Sequence, residues 1–193
     1  MKIDSHDKIK VVVPKNTKNI DYEKIISEKK NWILKKVDEL KKYQYQYLYL
    51  GKQLIVEEQF TLFGGRNAFV NGNKFIISVS ENTDCNRKEV YSKWLKQKAE
   101  KYIPARVNYL ANKIGVKPNR IKVKEQKTRW GSCSSSGNIA LNYKLMRFHK
   151  KVIDYVIIHE LCHLKEMNHS RKFWDLVFSF MPDYQIYKKQ LTN

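Results

Sequence analysis

Acidic residues are in short supply in this chain of 193 residues: 19 Asp and Glu stand against 38 Lys and Arg, a net charge of +19. Such an excess attracts polyanions, so the basic surface is a candidate DNA-binding surface. Arginine is also scarce, with 7 Arg against 31 Lys. Arg is the residue that gives bidentate phosphate recognition, so the lysines read equally well as a solvated surface. Three cysteines, Cys85, Cys133 and Cys162, are odd in number and far apart. That excludes a disulfide framework and fits a reducing cytoplasm. No apolar run approaches bilayer length, and the start, with Asp4 and Asp7, has no apolar signal region, so no membrane partner is expected. With 7 Gly and 4 Pro there is no repeat, no low-complexity segment and no glycine-rich loop to cradle a phosphate. Nothing specifies an oligomeric state.

What the chain does have is His159-Glu160-Leu161-Cys162-His163, the pattern H-E-x-x-H. On a helix the four-residue step puts both imidazoles on one face, one turn apart, where both can bind one zinc ion. Glu160 lies beside them, placed to take a proton from a metal-activated water. Six residues past His163 comes His169, a third candidate ligand. To return it to the metal the helix must end and reverse, and Asn168, tolerant of the left-handed region, is expected to make that turn. Three neutral imidazoles leave one zinc position open, as catalytic sites do. The competing reading is two half-buried histidines on an amphipathic helix.

The run Thr128-Arg129-Trp130-Gly131-Ser132-Cys133-Ser134, then Gly137-Asn138-Ile139-Ala140-Leu141-Asn142, then residues 152–163 and Asn168-His169-Ser170-Arg171-Lys172-Phe173-Trp174 resembles the YgjP-like family of zinc metallopeptidases, relatives of the SprT-like proteases. The similarity reaches back through Leu50-Gly51-Lys52 and Asn31-Trp32-Ile33-Leu34. It implies that His159, His163 and His169 bind Zn²⁺ and that Glu160 is the catalytic acid/base. The chain departs from the wider metzincin pattern at Glu166, where those enzymes have a turn-making Gly.

In chain order, residues 8–13 read as a strand stopped by Pro14. Asp21 is a cap for a helix whose Tyr22, Ile26, Ile33, Val37 and Leu40 form an apolar stripe. Tyr43, Tyr45, Tyr47 and Tyr49 alternate, either as the packed face of a strand or as a platform for nucleic-acid bases. Strands at 54–63 and 74–79 follow, with a type I′ turn signature at Asn71-Gly72. Residues 1–81 thus read as an N-terminal α/β unit on a small antiparallel sheet. Residues 82–86 form a joint, and 86–193 a zincin-like catalytic domain, giving an α+β protein overall.

In that domain a long helix running to Gly115 should kink or split at Pro104. A strand at 121–127 and a hairpin at 129–143 precede the metal helix, expected over 149–167. By analogy with zincin proteases, Asn138, Ile139, Ala140, Leu141 and Asn142 are the expected edge strand that takes a polypeptide substrate. Trp130 and Arg129 are expected to pack the hairpin, Cys162 to lie in the core, and Cys133 to stay off the metal. Ser170 caps a last helix whose Phe173, Trp174, Val177 and Phe178 cover the site, with Met181 in the core. The function expected is a zinc metallopeptidase with a polypeptide substrate, guided to DNA-associated proteins as SprT-like relatives suggest. The alternatives are a zinc-dependent nucleotide phosphohydrolase and a nucleic-acid-binding module with structural zinc.

Overall fold

The structure, a computed structural model, describes residues 2–5, 8–10, 22–31, 33–34, 47–60, 67–79 and 86–191. Contacts divide the chain into two compact units, Met1–Tyr47 and Leu48–Asn193. The joint expected at 82–86 therefore falls inside the second unit, with 82–85 outside the described residues.

In the first unit, β1 (Lys2–Ser5) and β2 (Lys8–Lys10) pair antiparallel with Ile3 opposite Ile9. Only β2 was legible as a strand. Helix α1 (Tyr22–Glu28) follows; further on Ile33 is buried, while Ile26 is exposed, and Asp21, Val37 and Leu40 lie outside the described residues.

The second unit opens with a short ladder, β3 (Leu48–Tyr49) to β4 (Lys52–Gln53). Next come β5 (Ile55–Phe60), β6 (Ala68–Asn71) and β7 (Lys74–Val79), in the order β5-β7-β6. This sheet is mixed rather than antiparallel, because β7 lies between the other two and runs parallel to β5. Asn71 pairs with Lys74, so the two-residue turn is Gly72-Asn73, one position later than expected. Gly72 takes φ 61, a left-handed conformation that suits glycine.

Helix α2 (Arg87–Ile114) is one continuous element. Asn86 caps it by accepting from the Glu89 N–H, and Gly115 ends it at φ 72. Pro104 does not split it: the missing N–H would have met the carbonyl of Glu100, an exposed residue, where water can take the unused acceptor. Its first turns hold an aromatic cluster, with Trp94 centroids 4.9 Å from Tyr49 and 5.0 Å from Phe75. Tyr47 is buried and Tyr49 is packed in this way, so neither is a free stacking platform; Tyr43 and Tyr45 lie outside the described residues.

Strands β8 (Arg120–Lys124), β9 (Gly131–Cys133) and β10 (Asn138–Asn142) form a second sheet, ordered β8-β10-β9. A 3₁₀ turn (Tyr143–Arg147) leads into α3 (Lys150–Cys162), then α4 (Arg171–Phe180) and α5 (Tyr184–Lys189). Every residue of α3 from Val152 to Ile158 is buried, which makes it the central rod of this unit. Arg106 on α2 grips Asp154 on α3 with two hydrogen bonds, 2.7 Å from Nε and 2.8 Å from an outer guanidinium nitrogen. The result is a rigid base for the residues one and two turns further along α3.

Candidate metal centre

Helix α3 carries His159 and Glu160 on its last turn, and His163 is its C-terminal cap, so the helix is shorter than the 149–167 expected. The four-residue step still sets the two imidazoles one turn apart, with ring centroids 4.9 Å apart. The chain then unwinds by tight turns: Leu164 N–H to Leu161 O at 3.1 Å, and Glu166 N–H to Cys162 O at 2.9 Å. Among the described residues Leu50 alone, apart from glycines, has positive φ. Asn168 is therefore not in the left-handed region, and a run of short-range bonds makes the reversal instead.

Glu166 joins in through its main chain. Its carbonyl lies 3.1 Å from Nδ1 of His163, and since a carbonyl can only accept, Nδ1 carries the proton and Nε2 presents a lone pair. Any residue supplies a carbonyl, which is why Glu can stand here.

The turn returns His169 to the helix. Its Nε2 is 3.0 Å from Nε2 of His159, and ligand atoms of His159, His163 and His169 all lie within 4.8 Å of one another. Cys133 is not in this group. Two ring nitrogens this close cannot both be protonated; they share one proton or one cation. Zinc–imidazole bonds of about 2.0–2.1 Å put neighbouring tetrahedral nitrogens roughly 3.3 Å apart, so these residues fit one metal ion. Burial, and then the neighbouring imidazoles, push His159 down to about 3, and burial also lowers His163, so both favour the neutral form a ligand needs.

Helix α4 supplies the wall. Ser170 caps it, accepting from the Phe173 N–H. Phe173, fully buried, has its ring 4.9, 4.5 and 4.8 Å from the imidazoles of His159, His163 and His169. Trp174 stacks on His169 at 5.6 Å and on Tyr184 at 5.3 Å, and Lys188 sits 4.2 Å over the indole. Val177 and Met181 are buried as expected; Phe178 is 55% exposed and covers nothing at the site.

Glu160 is 6% exposed and leans on β9. A Cβ built on Gly131 would stand 2.5 Å from its Oε1 and 2.7 Å from its Cγ, so the side chain occupies the room glycine leaves. Burial lifts this carboxyl to about 7, against the pull of the Arg129 guanidinium. A carboxyl poised there can both take and return a proton near neutral pH. Sequence reasoning quoted Gly131 without giving it a role, although a glycine inside a strand signals close approach of another group. Arg129 is exposed, and its charge reaches Glu160 instead of packing the hairpin. Trp130 does pack, edge-on to Phe148 at 5.0 Å.

The expected substrate strand needs correction. Asn138–Asn142 is the middle strand, paired parallel with β8 and antiparallel with β9. With its main chain used on both sides, it has no free edge to offer a substrate. The edge beside Glu160 is β9. Asn142 N–H bonds Trp130 O, Ser134 N–H bonds Asn138 O, and Ser132 faces Ala140. The even positions thus turn inward, and Gly131 and Cys133 direct their N–H and C=O groups outward. Asn142 is structural: its side chain donates to the carbonyls of Gln126 and Arg129, bracing the approach to β9.

A helix bearing two imidazoles and a carboxyl is met by a third imidazole on the returning chain, and together the three imidazoles could hold one metal ion. The family model describing a YgjP-like metallopeptidase domain matches residues 1–193, and the chain belongs to that family. The family implies a divalent metal, which the three imidazoles fit. Among solved structures, the chain is similar to the metallopeptidase zymogen abylysin of Pyrococcus abyssi, 21% identical over 46% of this chain and 90% of that one, with TM-score 0.43. It is also similar to the metallopeptidase zymogen jannalysin of Methanocaldococcus jannaschii, 23% identical over 47% and 93%, with TM-score 0.42. No curated protein matches the chain. Among the described residues no helix is long and apolar enough to cross a membrane.

Proposed function

We propose that this protein is a zinc-dependent peptidase in which His159, His163 and His169 hold the ion and Glu160 is the general base and acid. The observation that carries this reading is the convergence of the three imidazoles on the helix that also buries Glu160. Zinc, when bound, supplies a Lewis acid that acidifies a water and polarises a carbonyl. Glu160 takes the water's proton on its carboxylate and gives it to the leaving amine, and burial against β9 holds it near the pKa both transfers need. The polypeptide lies along the free edge of β9, where the outward groups of Gly131 and Cys133 pair with its main chain. Phe173 and Trp174 keep the imidazoles in place and dry on the far side.

Within this reading the enzyme works in the cytoplasm, where Cys133 and Cys162 stay free thiols. Its net charge of +19 directs it to proteins on DNA. Glu160→Gln in the zinc-loaded protein tests the assignment. An unstructured protein such as casein is cut by wild type and survives with the variant, while metal analysis finds one zinc in each. Equal cleavage by both would remove Glu160 from the chemistry.

A further inference from the structure

Beside the triad, between the β9–β10 hairpin and the turn that follows α3, lies a cavity of about 440 Å³. His163 lines both the cavity and the triad, so a chain with its scissile carbonyl at the imidazoles has a neighbouring side chain within reach of the opening. One wall is apolar, built from Val116, Leu164 and Met167. The opposite wall is polar and fixed. Ser134 and Ser136 share a hydrogen bond of 2.8 Å, the Asn119 side chain donates to the Ser136 carbonyl, and the Asn119 N–H bonds Gly137 O at 2.9 Å. These bonds join the hairpin to the segment after α2, so the wall stands before any ligand arrives.

Two donors remain. Lys117 and Ser135 line the cavity, and neither side chain has a partner among the described residues. No Asp or Glu lines it. An occupant therefore needs methylenes for the apolar wall and an acceptor, best an anionic one, for the ammonium and the hydroxyl.

We propose that this cavity is a specificity pocket for a glutamate side chain that the substrate polypeptide carries next to its scissile bond. Glutamate has two methylenes and a carboxylate in that order. The assignment rests on the peptidase reading, and it adds acidic sequence as the preferred substrate.

The test is binding of fluorescent unstructured peptides, identical except for Glu, Gln or Lys at one central position, to zinc-loaded Glu160→Gln protein at physiological salt. Wild-type cleavage of casein is measured alongside. The Glu peptide binds about tenfold more tightly than the Gln peptide, one charge-assisted hydrogen bond's worth. Lys117→Glu removes that preference and favours the Lys peptide. Lys101→Glu, the same charge change on an exposed part of α2, leaves the preference unchanged. Equal affinity for the Glu and Gln peptides overturns the pocket. So does an equal effect of the two lysine variants, since the attraction would then be the general positive surface. The two readings fail separately. Casein cleavage without a Glu preference leaves the peptidase and removes the pocket; a Lys117-dependent preference without cleavage keeps the pocket and removes the peptidase.

Discussion

Gly131 and Glu160 form a pair in which one side chain exists in its position because the other is absent. In Gly131→Ala the new methyl and the carboxylate cannot share the space, and the flexible partner moves. A displacement of about 1 Å at a reacting group costs on the order of 10²-fold in rate. The expected result is a loss of that size in kcat with zinc content unchanged, since all three imidazoles lie off β9. A double-mutant cycle separates positioning from strand damage. Glu160→Ala has neither the carboxylate nor the Cγ that the methyl would meet, so in denaturant unfolding adding Gly131→Ala costs it far less than it costs wild type. Equal costs in both backgrounds would mean that Gly131 merely holds the strand.

Glu160 and its chain neighbour His159 shape the pH stability of the metal-free protein in opposite senses. His159 is held at about 3 against 6.5 in the unfolded chain. The unfolded state therefore binds more protons between those values, and stability is lost as pH falls through the window. Glu160 is raised from 4.5 to about 7, so the folded state binds more protons there and stability is gained as pH falls from 7 to 4.5. At about 1.4 kcal/mol per pH unit Glu160 offsets most of the His159 loss above pH ~4.5, leaving the loss from His163, whose pKa is also lowered; below it only the histidine losses remain. Chemical denaturation of the metal-free protein is expected to give a shallow decline in stability from pH 7 to 4.5 and a steeper fall below. In Glu160→Gln the compensation is gone and the steep decline begins near pH 6.5.

At the scale of elements, α3 is held in place by packing and by one polar clamp. Arg106 is partly exposed and Asp154 is nearly buried, 32% against 12% by side chain, so the two ends of the ion pair are not equivalent. Removing Asp154 leaves a cation near water; removing Arg106 leaves a carboxylate in the interior. Arg106→Met is therefore expected to cost about 3 kcal/mol in denaturant unfolding, and Asp154→Asn clearly less. The double replacement Arg106→Met with Asp154→Leu recovers most of the loss, because a matched apolar pair leaves no buried charge.

How far the sequence revealed these elements depended on the range of the interactions. Helix α3, the cap Ser170, the stop at Gly115 and the aromatic wall of Phe173 and Trp174 are set by spacings of three or four residues, and all were legible; the cap Asn86 reads in the sequence only as part of a joint. Strand order was not. The segments 131–133 and 138–142 both read as strands, but that the second is central depends on its parallel partner β8, whose residues pair from 18 positions earlier (Asn138 with Arg120). Alternation within a segment says which face is buried and not which edge is free. The parallel pairing of β5 with β7 was missed for the same reason, and so was the role of Gly131, whose partner lies 29 residues on.

At the scale of the whole molecule, charge is the least committed feature. Several acidic side chains are engaged: Glu57 with Lys74, Glu58 with Arg87, Glu125 with Lys144, Asp154 with Arg106. With 19 acids against 38 bases, many lysines must face solvent without a counter-charge, whatever the pairing. Lysine acts on phosphate as a point charge and reads no base, so the expected DNA binding is independent of sequence and strongly dependent on salt. Neutralising six to ten phosphates implies a loss of about 10³- to 10⁵-fold in affinity between 50 and 200 mM salt. Because those lysines are not the triad, metal-free protein and Glu160→Gln should bind with the same slope as the zinc-loaded wild type. Titrating labelled single- and double-stranded DNA at several salt concentrations reads this directly. A steep common slope makes the basic surface an address for the peptidase. A flat response or no binding leaves the imidazole site intact and makes the lysines a solvation device only.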